Sequence, residues 1–409
     1  MFSGVSRDNS SPGRCTMAWR SWPISELTLK VIEPLLAGSE ILKLGPKITA
    51  PRLAALHEVG EERGSAGCPV AVDPVRSTCA MLAAYEEFDR GRGVPFRWEP
   101  GVTSEAVAST ISQAVLGEGL RWDARRDEVL AVDILAGRVY RGRVADDGDL
   151  ILIRGYALPG TVGAIAPVEG DDGWILAAGQ GFVHLSLDGS LQSIVEVAPT
   201  GTRMNDGACD PQGRLWAGTL ADDFLPGGGA LYRLDRDGRV EVMLDDLTIS
   251  NGLGWSPDGA TMYLVDSGPR LVHAFRFDQL TGEISAGRVL VAVAEQVGAP
   301  DGLTVDADGD IWVAIYGGGR VHRYSPEGVL REELVVPAAQ STSCAFAGRD
   351  LNRLYVTTAT EGWSDEQRRA QPAAGLVYRF DTDATGRPAA SFRPEPTWWA
   401  EIRSGVPKR

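Results

Sequence analysis

Pro300-Asp301-Gly302-Leu303-Thr304-Val305-Asp306-Ala307-Asp308-Gly309-Asp310-Ile311-Trp312-Val313 is the phrase that this chain repeats. It reads as a polar residue and a glycine, a short strand, an Asp-rich tight turn and a second strand. The phrase begins again at Glu118-Gly119-Leu120-Arg121-Trp122, at Asn205-Asp206-Gly207-Ala208-Cys209 and at Asn251-Gly252-Leu253-Gly254-Trp255. Aligned on Trp122, Cys209, Trp255 and Val305, the position four residues upstream is always a carboxylate or a carboxamide: Glu118, Asn205, Asn251, Asp301.

Working outward, six such units follow one another from about residue 106. Their second strands run through Val129–Val132, Trp174–Ala177, Leu215–Ala217, Met262–Val265, Ile311–Val313 and Leu354–Thr357. A third strand follows each, as in Ala230–Leu234 and Arg320–Tyr324, and segments such as Val240–Leu244 supply a fourth. Four strands every 40–50 residues is the period of a propeller blade. The expected fold is therefore all-β, a six-bladed β-propeller over 106–409. Residues 1–105 carry no repeat and no chemical motif. They are expected to form an N-terminal extension, helical over 52–63 and 76–90 or else disordered.

The composition narrows the function. A net charge of −15 over 409 residues argues against a nucleic-acid partner, since such binding rests on neutralising phosphates. No apolar run is long enough to span a membrane, and the N-terminus lacks the apolar core of a secretory signal. Five cysteines without close spacing suggest neither a disulfide framework nor a zinc knuckle. Cytoplasm is the expected compartment, and Cys209 and Cys344 are expected to be buried, inert thiols.

In a propeller the innermost strand of each blade lines the central channel, so repeat-equivalent residues meet at one mouth. Glu118, Asn205, Asn251 and Asp301 are then a ring of oxygen donors. Two carboxylates in one place repel unless a positive charge lies between them. One divalent cation held by Glu118, Asn251 and Asp301 resolves this. The hard oxygen ligands suit Ca, Mg or Mn and do not exclude Zn or Fe. Arg203, two residues before Asn205, is expected to face a substrate. Trp122, Trp174, Trp216, Trp255 and Trp312 are expected to pack between blades.

The phrases Leu116-Gly117-Glu118-Gly119, Arg203-Met204-Asn205-Asp206-Gly207, Asp210-Pro211-Gln212-Gly213-Arg214-Leu215-Trp216-Ala217-Gly218-Thr219, Ser250-Asn251-Gly252-Leu253, Pro300-Asp301-Gly302 and Thr342-Ser343-Cys344 together resemble the senescence-marker-protein/gluconolactonase/luciferin-regenerating-enzyme-like (regucalcin-like) family. The resemblance implies a six-bladed propeller with one catalytic divalent metal in its channel. It implies metal ligation by Glu118, Asn251 and Asp301, with Asp301 also the general base, and substrate contacts from Arg203 and Asn205. In the lid region after Thr219 it leaves Asp222 or Asp223 as a further contact. The implied reaction is hydrolysis of a sugar-acid lactone, such as gluconolactone, to the free acid. The alternatives are another metal-dependent esterase or phosphotriesterase on the same scaffold, and a non-enzymatic calcium-binding propeller.

Overall fold

The computed structural model describes residues 106–108 and 113–404. The expected N-terminal extension and its two helices therefore lie outside the described residues, apart from its boundary. Six four-stranded antiparallel sheets form the blades of a β-propeller. The first five are continuous in sequence, at 117–157, 162–196, 202–247, 250–292 and 299–335. In each of these the strands lie side by side in chain order.

The sixth blade departs from that scheme. Its inner three strands are Ser341–Ala347, Arg353–Thr358 and Tyr378–Asp381, but its outer strand is Val107–Ala108, paired with Arg379 and Tyr378. The fourth strand of the last unit is thus supplied from the other end of the propeller. This pairing joins the two ends of the ring and covers a sheet edge that would otherwise stand open.

The repeated Asp-rich turn has a clear physical basis. Asp306 Oδ1 accepts the backbone N–H groups of Asp308 (3.0 Å) and Asp310 (2.8 Å), while Oδ2 accepts the Trp312 indole N–H at 2.9 Å. Asp210 repeats the arrangement with Gln212, Arg214 and the Trp216 indole, the last at 3.0 Å. One carboxylate therefore closes the hairpin and anchors the aromatic ring of the next strand. Gly213 and Gly309 stand at φ +86° and +91°, a conformation that a side chain disfavours. Trp174, Trp216 and Trp312 are fully buried between sheets. Trp122 and Trp255 are buried as well, and they also line a central cavity of about 480 Å³.

The segment following the last blade lines the far end of that cavity. Thr385 O accepts from Ala307 N, Gly386 N donates to Leu351 O, and an Arg387 guanidinium N–H donates to Trp255 O. Phe392 N then reaches Pro167 O and Arg393 N reaches Gly213 O. The strap thus contacts five blades before the helix Pro396–Ser404 buries Trp398 and Trp399. The strap therefore lies across the end of the axis opposite the starts of the inner strands. Cys209 and Cys344 are buried free thiols whose pKa values burial pushes far upward. Among the described residues no helix is long and apolar enough to cross a membrane.

Candidate functional site

Each inner strand breaks register with its neighbour at the same level. Pairing skips Asn205–Asp206 in the third blade, Asn251–Gly252 in the fourth, Asp301–Gly302 in the fifth and Thr342 in the sixth. It skips Gly163 in the second, and in the first it lapses directly after Glu118. A bulge of this kind re-aims side chains out of the ladder. Here it gathers residues from four blades around the axis.

Glu118, Asn205, Asn251 and Asp301 are all buried, at 3–6 % exposure. A hydrogen-bonded row joins three blades. Arg203 Nη1 donates to Asn205 Oδ1 (2.7 Å), Asn205 Nδ2 donates to Asn251 Oδ1 (2.6 Å) and to Ser250 O (3.0 Å). Asn251 Nδ2 donates to Ser267 Oγ (2.8 Å), whose hydroxyl donates to Pro300 O (2.6 Å). The row fixes both amide orientations. Asn205 commits both of its amide hydrogens within the row, so only its oxygen has capacity left for a ligand.

The carboxylates lie close enough to disturb one another. Burial pushes the Glu118 carboxyl well above its ordinary range, and the charges of Asp301 and Asp206 push it further. Burial likewise raises Asp301, reinforced by Asp206 and Glu361. Burial lowers Arg203, an effect opposed by Glu361 first, then Asp222, Glu118 and Asp301. Asp301 Oδ1 is buried with no hydrogen-bond partner.

Two buried carboxylates, one with an unpartnered oxygen, beside an amide whose Oδ1 is oriented by its neighbours, fit a hard divalent cation. The fit depends on the carboxamide. Among the described residues no group of three or more His, Cys, Asp or Glu is arranged to hold a metal.

Several residues of this mouth were not singled out in the sequence. Asp206 is raised by burial and offset by Arg121, whose Nη2 lies 3.6 Å from its carboxylate. It adjoins Asn205 in the same turn triplet, so the repeat alignment selected only one of the pair. Tyr316 ends a strand, while Gln340 and Glu361 lie in the connections next to strands, all outside the repeated phrase. Asp222, from the lid region, is exposed and acts on Arg203 through its charge.

Glycines allow the inner strands to close on the axis. A Cβ at Gly163 would lie 2.6 Å from Asn205 O and 2.7 Å from Asn205 N, and one at Gly302 would lie 2.7 Å from Ser343 Cα. Gly163→Ala is therefore expected to cost about 1–3 kcal/mol by overpacking and to displace Asn205 from Asn251. Chemical denaturation should show the loss. A wild-type denaturation midpoint would mean that the second and third blades have room to part.

Comparison with known proteins agrees with this architecture. The SMP-30/Gluconolactonase/LRE-like region model matches residues 116–360. YvrE of Bacillus subtilis (strain 168), provisionally named a sugar lactone lactonase, is 34 % identical over 292 residues, covering 70 % of this chain and 98 % of its own. A 6-deoxy-6-sulfogluconolactonase of Pseudomonas putida is 36 % identical over 288 residues, covering 69 % of this chain and 97 % of its own. The crystal structure of a calcium-binding protein, regucalcin from Agrobacterium tumefaciens, superposes with a TM-score of 0.67 at 30 % identity, covering 71 % of this chain and 98 % of that one. With a propeller of six blades, a polar ring at their bulges and a family match across all six, this chain belongs to the SMP-30/gluconolactonase/LRE-like family.

Proposed function

We propose that this protein is a divalent-metal-dependent lactonase that opens a sugar-acid lactone to the free acid. The observation that carries the reading is the buried Glu118–Asp301 pair beside Asn251, with Asp301 Oδ1 unpartnered. The lactonase names borne by two relatives give it its reaction class. Glu118, Asn251 and Asp301 would hold the ion, which supplies polarisation of the ester carbonyl and a lowered pKa for water. Ca, Mg and Mn suit these ligands, and Zn or Fe is compatible with them.

The chain's own residues divide the remaining work. Asp301 takes a proton from water as the water oxygen bonds to the lactone carbonyl carbon. The ring C–O bond then breaks as the carbonyl re-forms, and the departing oxygen receives the proton that Asp301 accepted, leaving a hydroxyl and a carboxylic acid. Arg203 donates to substrate oxygens through the N–H groups it does not use on Asn205 Oδ1 and Met204 O, and those two acceptors orient its guanidinium.

The test is acid release from glucono-, galactono-, xylono- and arabinonolactone by metal-stripped protein, with single metals restored and spontaneous hydrolysis subtracted. Chelation should abolish turnover and at least one metal should return it. Protein that binds a metal yet opens none of these lactones would overturn the reading. Aryl ester and organophosphate substrates run in parallel would then separate another hydrolase from a calcium-binding propeller.

A further inference from the structure

The blade-five and blade-six side of the mouth carries a second cluster of polar groups. Gln340 Nε2 donates to Tyr316 OH (2.7 Å) and to the backbone carbonyl of Glu361 (3.0 Å). The carbonyl can only accept, so the orientation of the Gln340 amide is fixed. Its Oε1 is left buried without a partner, on a side chain only 8 % exposed. Burial, together with the charges of Glu361 and Asp301, holds the Tyr316 phenol protonated. An ionised carboxylate only accepts, so Glu361 adds acceptors to this wall.

This cluster adjoins the catalytic centre. Tyr316 pairs with Ala299, two residues before Asp301, and bridges to Gln340. Glu361 acts on both Asp301 and Arg203, and it is the foremost charge opposing the burial of Arg203. It also stands one residue beyond the segment matched by the family model. The free capacity on this wall is made of acceptors: Gln340 Oε1 and the Glu361 carboxylate. A ligand that satisfies them must bring hydrogen-bond donors. An apolar ring would leave them buried and dry, which costs far more than an absent contact.

We propose that Tyr316, Gln340 and Glu361 form a hydroxyl-binding subsite that selects polyhydroxylated lactones over unsubstituted ones. The assignment of lactones as the ligand rests on the lactonase reading above. Glu361 and Gln340 Oε1 accept from ring or side-arm hydroxyls, Tyr316 and the Glu361 backbone carbonyl hold the Gln340 amide in place, and Arg203 donates from the third blade.

The experiment compares gluconolactone with δ-valerolactone, a ring of the same size without hydroxyls, on wild type, Glu361→Gln and Tyr316→Phe. Loss of a charge-assisted bond predicts a fall of about 30-fold in kcat/KM for gluconolactone with Glu361→Gln. A smaller fall, about 5-fold, is expected with Tyr316→Phe. Whatever Glu361 does through Asp301 and Arg203 falls on both lactones, so the subsite is read from the ratio of the two kcat/KM values, which should shift toward δ-valerolactone in either variant. Equal losses on both lactones would overturn the subsite and leave a purely structural cluster, as would no loss on either.

Calorimetric binding of glucitol, which has the hydroxyls and no ester, separates the two readings. Wild type that opens neither lactone but binds glucitol more tightly than Glu361→Gln would sink the lactonase reading and keep the subsite. Glucitol binding that is the same in both proteins, or absent from both, would sink the subsite whatever the turnover.

Discussion

Asp301→Asn is expected to lower lactone turnover about 1,000-fold, the scale on which positioned acid–base groups act. The substitution keeps the shape of the side chain but removes its charge, its basicity and one anionic metal ligand. Stability should move the other way. Asp301 lies within reach of the Glu118, Asp206 and Glu361 charges, and its Oδ1 has no hydrogen-bond partner. In metal-free protein, replacing the carboxylate by a neutral amide relieves that repulsion, so the variant should melt no lower than metal-free wild type. Inactivity combined with retained stability is the signature of a group held for chemistry at the expense of packing. Turnover above a tenth of wild type would place the base elsewhere. A melting temperature well below wild type would mean that Asp301 is a structural residue.

The second large effect lies far from the mouth. Asp306→Ala removes a fully buried carboxylate that accepts two turn amides and the Trp312 indole, with Arg323 Nη2 3.7 Å away. Each of those donors is left buried or strained, and the loss is expected to reach about 3–5 kcal/mol. For a chain of this length that is a fall in melting temperature on the order of 10 °C. Trp312→Phe deletes only the indole bond and should cost less. A double-mutant cycle should give a coupling of about 1 kcal/mol or more. If Asp306→Ala costs under about 1 kcal/mol, the turn is held by its glycine and backbone bonds alone.

These two aspartates also show how the sequence could be read. Asp306 belongs to a hairpin whose hydrogen-bonded amides and indole lie within six residues of it, so that chemistry is written locally, and Asp210 repeats it in the third blade. Asp301 marks the point at which each inner strand leaves its ladder. Because that point recurs in every blade, repeat alignment was enough to select Glu118, Asn205, Asn251 and Asp301 as neighbours. The structure places them together, with Asn205 bonded to Asn251 across blades. Asp206 escaped because the alignment compared one position per blade, whereas the third-blade bulge presents two.

The sequence alone determined the number of blades, their hairpins and the polar level of the axis, since each follows from local strand and turn chemistry repeated six times. Only the tertiary structure decided that Val107–Ala108 completes the last blade, that the strap through 384–393 crosses the far mouth, and that Tyr316, Gln340 and Glu361 meet beside Asp301. Those contacts join residues that hold no equivalent place in the repeat. They arise from the closing of the ring, which brings distant strand ends to one side of the axis, and a local period carries no information about that closure.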